Sequence, residues 1–116
     1  MDEALAALPF CYVTTTGRRT GKPHRIEIWF AAAQDARDTI FILAGGREQS
    51  DWVRNLVAEP ACIVEVGAER FHGRGRVIEG GLDDETARRL VYEKYREDDD
   101  LEEWRNEALP VAIDLR

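Results

Sequence analysis

Two extended runs meeting across a cationic break constrain this chain most. "PFCYVTTT" (9–16) is aromatic and β-branched, "GRRTGKP" (17–23) interrupts it, and "HRIEIWFAAA" (24–33) alternates Ile26, Ile28 and Phe30 against Arg25, Glu27 and Trp29. Period-two alternation gives a strand one buried and one outward face, so the segment is expected to fold as an antiparallel hairpin with a long tip. "DTIFILAGG" (38–46) continues as a third strand ending in a glycine pair. "ACIVEVG" (61–67) and "ERFHGRGRVIE" (69–79) form a second strand pair, with Arg70, His72, Arg74 and Arg76 on a solvated side. Gly73 and Gly75 there suggest a bend or barrel corner. "LPVAIDLR" (109–116) returns as a final strand.

Between these runs the period changes to that of a helix. In "SDWVRNLVAEP" (50–60), Ser50 is a suitable N-cap, Asp51 suits the positive end of the helix dipole, and Pro60 is a stop. Trp52, Val53, Leu56 and Val57 are expected on its buried face. "LDDETARRLVYEKYRE" (82–97) carries acids at its start, bases near its end and a stripe of Ala87, Leu90, Val91 and Tyr95. "LEEWRNEA" (101–108) can add one or two turns. Six short strands with mostly hairpin connections and two to three helices predict a mainly β, α+β fold, an antiparallel barrel with attached helices. No repeat or linker divides the 116 residues, so one domain over 1–116 is expected.

Charge narrows the partners. The formal net charge is -7, which argues against nucleic acid or an anionic membrane surface. Yet Arg18, Arg19, Lys22 and Arg25 lie between Gly17 and Ile26 with no acid among them. A patch that local suits a small anion better than a polymer. No apolar run approaches the length of a membrane span, and "MDEALAAL" is too short and acidic for a signal peptide. Cys11 and Cys62 sit in apolar runs outside any ligand spacing, which reads as two buried thiols in a reducing, cytoplasmic setting.

Two segments stand out as ligand sites. In the 14–25 tip, glycines would let backbone amides face an anion while Arg and Lys supply charge; a solvated hairpin loop has the same composition. In "AGGREQSDWVRNL" (44–56), a glycine pair leads into a helix N-terminus, again readable as a plain strand-to-helix turn with Trp52 in the core. Neither matches a Walker or GxGxxG frame. His24 and His72 have no acidic or thiol partners at ligand spacing, so no metal site is expected. With no nucleophile triad visible, a bound cofactor would carry any redox chemistry.

"TTTGRRTGKPHR", "LAGG" followed by "DWVRNLVAEP", "KY", and a later "W" with "LPVAIDL" together resemble the deazaflavin-dependent nitroreductase family of the split β-barrel flavin-binding superfamily. The resemblance implies a six-stranded split barrel that binds coenzyme F420 and passes hydride to a small electron-poor acceptor such as a quinone, enone or nitro compound. It implies that Thr16, Gly17, Arg18, Arg19, Thr20, Gly21 and Lys22, with Arg25 just beyond, hold the cofactor's phosphate and polyglutamate tail. It places Ala44, Gly45, Gly46, Trp52 and Asn55 along the ring, although this segment is shorter than the family's and lacks its Ser-Lys. Tyr95 matches one of several tyrosines over the ring, and it, or a water it positions, would hydrogen-bond or protonate the acceptor oxygen. The following tyrosine positions hold Asp98 and Leu101, implying a wetter, more acidic acceptor pocket. FMN in place of F420, or a non-catalytic cofactor or lipid carrier on the same barrel, are the alternatives. Barrels of this superfamily often pair, so a homodimer is expected.

Overall fold

The computed structural model describes residues 1–97 and 101–116. Its strands are β1 (Cys11–Thr16), β2 (Pro23–Ile28), β3 (Ala31–Ala32), β4 (Thr39–Ala44), β5 (Ala61–Val66), β6 (Glu69–Val77) and β7 (Leu109–Leu115). The helices are α1 (Glu3–Ala6), α2 (Asp51–Ala58), α3 (Gly81–Tyr95) and α4 (Glu102–Glu107), and a short 3₁₀ turn at Arg47–Gln49 leads from β4 into α2. The strands form one curled antiparallel sheet, in the order β2-β1-β5-β6-β7-β4-β3, and so a split barrel. Its two edge strands, β2 and β3, are consecutive in the chain.

That continuity explains why seven strands appear where six were expected. The run 24–33 keeps its alternation, but the chain changes partners at Trp29–Phe30, with β2 pairing β1 and β3 pairing β4. Two consecutive α3 residues hold the break open. The Tyr95 hydroxyl accepts from Phe30 N at 3.1 Å and lies 2.9 Å from Phe30 O, to which Lys94 Nζ also donates at 2.8 Å. The Phe30 amide is thereby bonded to side chains instead of a neighbouring strand.

Both faces of the sheet are covered. Val13, Phe30, Ile40, Ile42, Val64, Val111 and Ile113 fill the barrel, with Val53 and Leu56 of α2 packed into the same cluster. On the outer face α3 lays Ala87, Leu90, Val91 and Tyr95 against Phe41, Leu43 and Ala112, the stripe read from the sequence. β4 lies under both clusters, which is why "TIFILA" is a continuous apolar run and not an alternating one.

Local details differ from expectation on α2 and β6. Asn55 is buried in α2 while Val57 is 65% exposed, and the Ser50 side chain makes no capping hydrogen bond. β6 runs unbroken through Gly73 and Gly75. A Cβ on Gly75 would lie 2.2 Å from Leu56 Cδ2, and one on Gly73 2.6 Å from Ile113 Cγ2. These glycines make room for α2 and β7. At the far end, Arg37 and Arg76 both reach Asp83 at the start of α3, at 3.0 and 3.4 Å, while Arg76 also pairs with Asp114 of β7 at 3.0 Å.

Candidate cofactor site

The β1–β2 tip lies against α2 because Arg18 is fastened to it. Its guanidinium donates to Asn55 Oδ1 at 2.8 Å and to Asp51 Oδ1 at 3.2 Å, and its backbone N also donates to Asn55 Oδ1 at 3.2 Å. Residues 51 and 55 are one helical turn apart on α2, so they meet the arginine as a pair. Asn55 in turn donates to Thr15 Oγ1 at 3.4 Å, which accounts for a buried amide on a short helix. Arg25 is also committed, to Glu65 at 3.2 Å and over the Tyr12 ring at 3.8 Å. Arg19 and Lys22 are exposed and form no ion pair among the described residues. Of the four cations only these two keep their charge available.

The tip's amides are mostly spent as well. Gly17 N donates to Lys22 O at 2.8 Å, Gly21 N to Gly17 O at 2.8 Å, and Lys22 N to Thr20 Oγ1 at 3.2 Å. Gly21 has a φ of 71°, which only glycine adopts without strain. A Cβ on Gly17 would lie 2.6 Å from His24 Nε2, so the imidazole folds over the turn. The expectation that several backbone amides face an anion is corrected: hydrogen bonds within the loop and to Asn55 take those of residues 17, 18, 21 and 22. What remains is a cavity of about 210 Å³ lined by side chains of Arg18, Arg19, Thr20, His24, Asp51 and Asn55, with Gly17 at its base. Thr16 and Lys22 do not line it.

A second cavity, of about 450 Å³, lies where α2 begins, against β2 and β4. Ala44, Gly45, Gly46 and Trp52, expected along a ring, all line it, together with Trp29, Trp104 and Leu101. Asn55 belongs to the first cavity and not to this one. Trp104 of α4 lies over Gly45, where a Cβ would meet its Cδ1 at 3.6 Å. Trp29 stacks on Tyr95 at 4.3 Å with 8° between the rings and meets Trp104 edge-on at 5.9 Å.

Tyr95 itself is 3% exposed, does not line this cavity, and its hydroxyl also donates to Pro9 O at 2.7 Å. The geometry gives this oxygen to the backbone, so the acceptor contact expected of Tyr95 is not what the fold provides. Of the positions behind the expected wetter, more acidic pocket, Leu101 is buried in the same cluster as Tyr95 and lines the cavity; among the described residues the acid in its lining is Glu27, whose carboxylate accepts from Tyr12 Oη at 2.8 Å. Asp98 lies outside the described residues. His24, Asp51, Glu27, Trp29, Ser50 and Trp104 are among the lining residues that sequence reasoning did not place at a site. Trp29 carried a signal, as a large aromatic on the polar side of an alternating strand.

The two cavities share the first turn of α2: Asp51 faces one, Ser50 and Trp52 the other. One is polar and beside free cations; the other is aromatic and floored by glycine, which suits a molecule with a planar ring and an anionic tail. A larger groove of about 820 Å³ beside α1, β3 and α3 is lined by none of the expected site residues.

The profile of the F420H(2)-dependent quinone reductase family matches residues 2–116. The chain belongs to that family. It is an F420H2-dependent reductase acting on small electron-poor molecules. Among solved structures, the reductase is similar to an F420-H2 dependent reductase (FDR-A), at 22% identity over 93% of this chain and 94% of that one, with a TM-score of 0.72. It is similar to the conserved hypothetical protein Rv2991 from Mycobacterium tuberculosis, at 21% identity over 100% and 81%, with a TM-score of 0.73. A chain described as a domain-swapped dimer matches at 22% identity over 93% and 80%, with a TM-score of 0.72. At these identities the likeness is one of fold. No helix among the described residues is long and apolar enough to cross a membrane.

Proposed function

We propose that the reductase, as a single domain over 1–116, seats coenzyme F420 across the first turn of α2, its anionic tail at the β1–β2 tip and its ring on Ala44, Gly45 and Gly46 beside Trp52 and Trp104. The observation that carries this reading is the meeting of a polar cavity beside uncommitted cations with a glycine-floored aromatic cavity on one helical turn. In this reading Arg19 and Lys22 attract the tail's charge, Thr16, Thr20 and His24 offer it hydrogen bonds, and Arg18 and Asn55 hold the loop in place. Gly17 and Gly21 allow the turn, and Arg25 lies at the tip's outer edge. Ala44, Gly45 and Gly46 leave the end of β4 bare for a planar ring, while Trp52 and Trp104 exclude water from it. Bound reduced F420 supplies the hydride. Glu27 and Ser50 are the lining side chains that can hold or pass a proton to an acceptor oxygen.

With Arg18 and Arg25 tied to acids, the charge count no longer separates F420 from FMN, whose single phosphate two cations would satisfy. Titrating the purified protein with each cofactor, followed by fluorescence, decides it: F420 binds more tightly under this reading. A homodimer is part of the proposal, since a similar chain forms a domain-swapped dimer. So is a cytoplasmic setting, where Cys11 and Cys62, both buried and free, stay reduced.

A further inference from the structure

Trp29 is 37% exposed, an unusual position for a large indole fixed so firmly from behind. Tyr95 covers one face of it, Trp104 meets it edge-on, and the next residue, Phe30, is held through its backbone by Tyr95 and Lys94. Trp29 lines the aromatic cavity just past the end of β2, together with Gly45, over which Trp104 lies. A ring held this way loses little freedom when something stacks on it, so its contribution to binding is largely preorganised. Glu27, two residues earlier on the same strand face, adds negative charge to that wall and disfavours an anionic guest.

We infer that Trp29 is the specificity-determining contact for the acceptor, stacking neutral, planar, electron-poor conjugated rings such as quinones and nitroaromatics in preference to small alicyclic enones. The inference rests on the cofactor reading of the same cavity. Indole is electron-rich, so an electron-poor ring gains from stacking beyond the area it buries, whereas a small alicyclic enone offers too little π surface to do so.

The test compares the wild type with Trp29→Leu and Trp29→Phe, using menadione and cyclohexenone as acceptors. Calorimetric binding is measured with saturating oxidised F420, a complex that cannot turn over, and KM with reduced F420. Trp29→Leu is expected to weaken menadione binding and raise its KM about tenfold, with cyclohexenone changed less than about twofold, and Trp29→Phe to recover most of the loss. F420 affinity stays within about twofold of wild type, because Trp29 is not part of the cofactor's seat. If Trp29→Leu fails to fold, Trp29→Met takes its place with the same expectations. Unchanged menadione binding, an equal loss for both acceptors, or a matching loss of F420 affinity would each overturn the inference. Absence of F420 binding to the wild type defeats the cofactor reading instead, and menadione titration of the ligand-free proteins then decides Trp29 by the same criteria.

Discussion

Replacing Tyr95 by Phe separates a structural from a chemical role for the one tyrosine that resemblance placed at the acceptor. The substitution removes a single oxygen, leaving the ring free to keep its 4.3 Å stack on Trp29. Phe30 O retains Lys94 Nζ at 2.8 Å, so the main loss falls on Phe30 N, which donates to the Tyr95 hydroxyl at 3.1 Å beneath a fully buried side chain, and on Pro9 O. A buried donor left unsatisfied costs about 1–3 kcal/mol, and a loss near the middle of that range lowers Tm by roughly 6–12 °C in a chain of this size. Activity should barely move, with kcat/KM for a quinone within about threefold of wild type, since Trp29 and the cavity wall are preserved. Thermal melts by circular dichroism and steady-state assays with reduced F420 measure both quantities on one preparation. An unchanged Tm with a fall in kcat of about a hundredfold or more, the range for a lost general acid, would refute the reasoning and return Tyr95 to the acceptor.

Gly75→Ala would push a Cβ to within 2.2–2.7 Å of the Leu56 side chain, which is only 2% exposed. Overpacking of this kind costs about 1–3 kcal/mol, read as a lower urea midpoint, and the accompanying shift of α2 weakens F420 binding. Stability should also depend on alkaline pH in two opposing ways. Burial lowers Lys94 from 10.5 to about 8, so the folded state sheds its proton first and gains stability as pH rises from about 8 towards 10.5. Burial pushes Cys11 up from 9.0 to about 12 and Cys62 to about 11, so their contribution is present below 9.0 and is lost as pH climbs through the folded values. Two thiols oppose one amine, placing the maximum near pH 9. Urea unfolding across this range should show that maximum move upward in Cys11→Ala/Cys62→Ala.

The elements that the sequence made legible are those whose burial follows a local period. β1, β5, β6, β7 and the α3 stripe of Ala87, Leu90, Val91 and Tyr95 could be read because every second or every third to fourth residue faces one apolar layer. The break between β2 and β3 was not legible, since its cause is a pair of side chains 64 and 65 residues further along the chain. Likewise the four cations of the tip were visible, but not that Asp51 and Asn55 would claim Arg18 or that Glu65 would claim Arg25. Composition gives charge; only the fold says which charge is already answered. Gly73 and Gly75 show the same limit, because the neighbours that exclude a Cβ there, Ile113 and Leu56, come from distant segments.

Titrating the wild type and Arg19→Ala/Lys22→Ala with F420, and in parallel with FMN, tests the central claim most directly. Neither side chain forms an ion pair among the described residues, so the double variant should melt like the wild type. The account predicts tighter binding of F420 than FMN by the wild type, an F420 affinity that falls as salt rises, and a loss of F420 affinity of about tenfold or more in the variant. F420 affinity that is unchanged in the variant, or a wild type that binds FMN more tightly than F420, would contradict it.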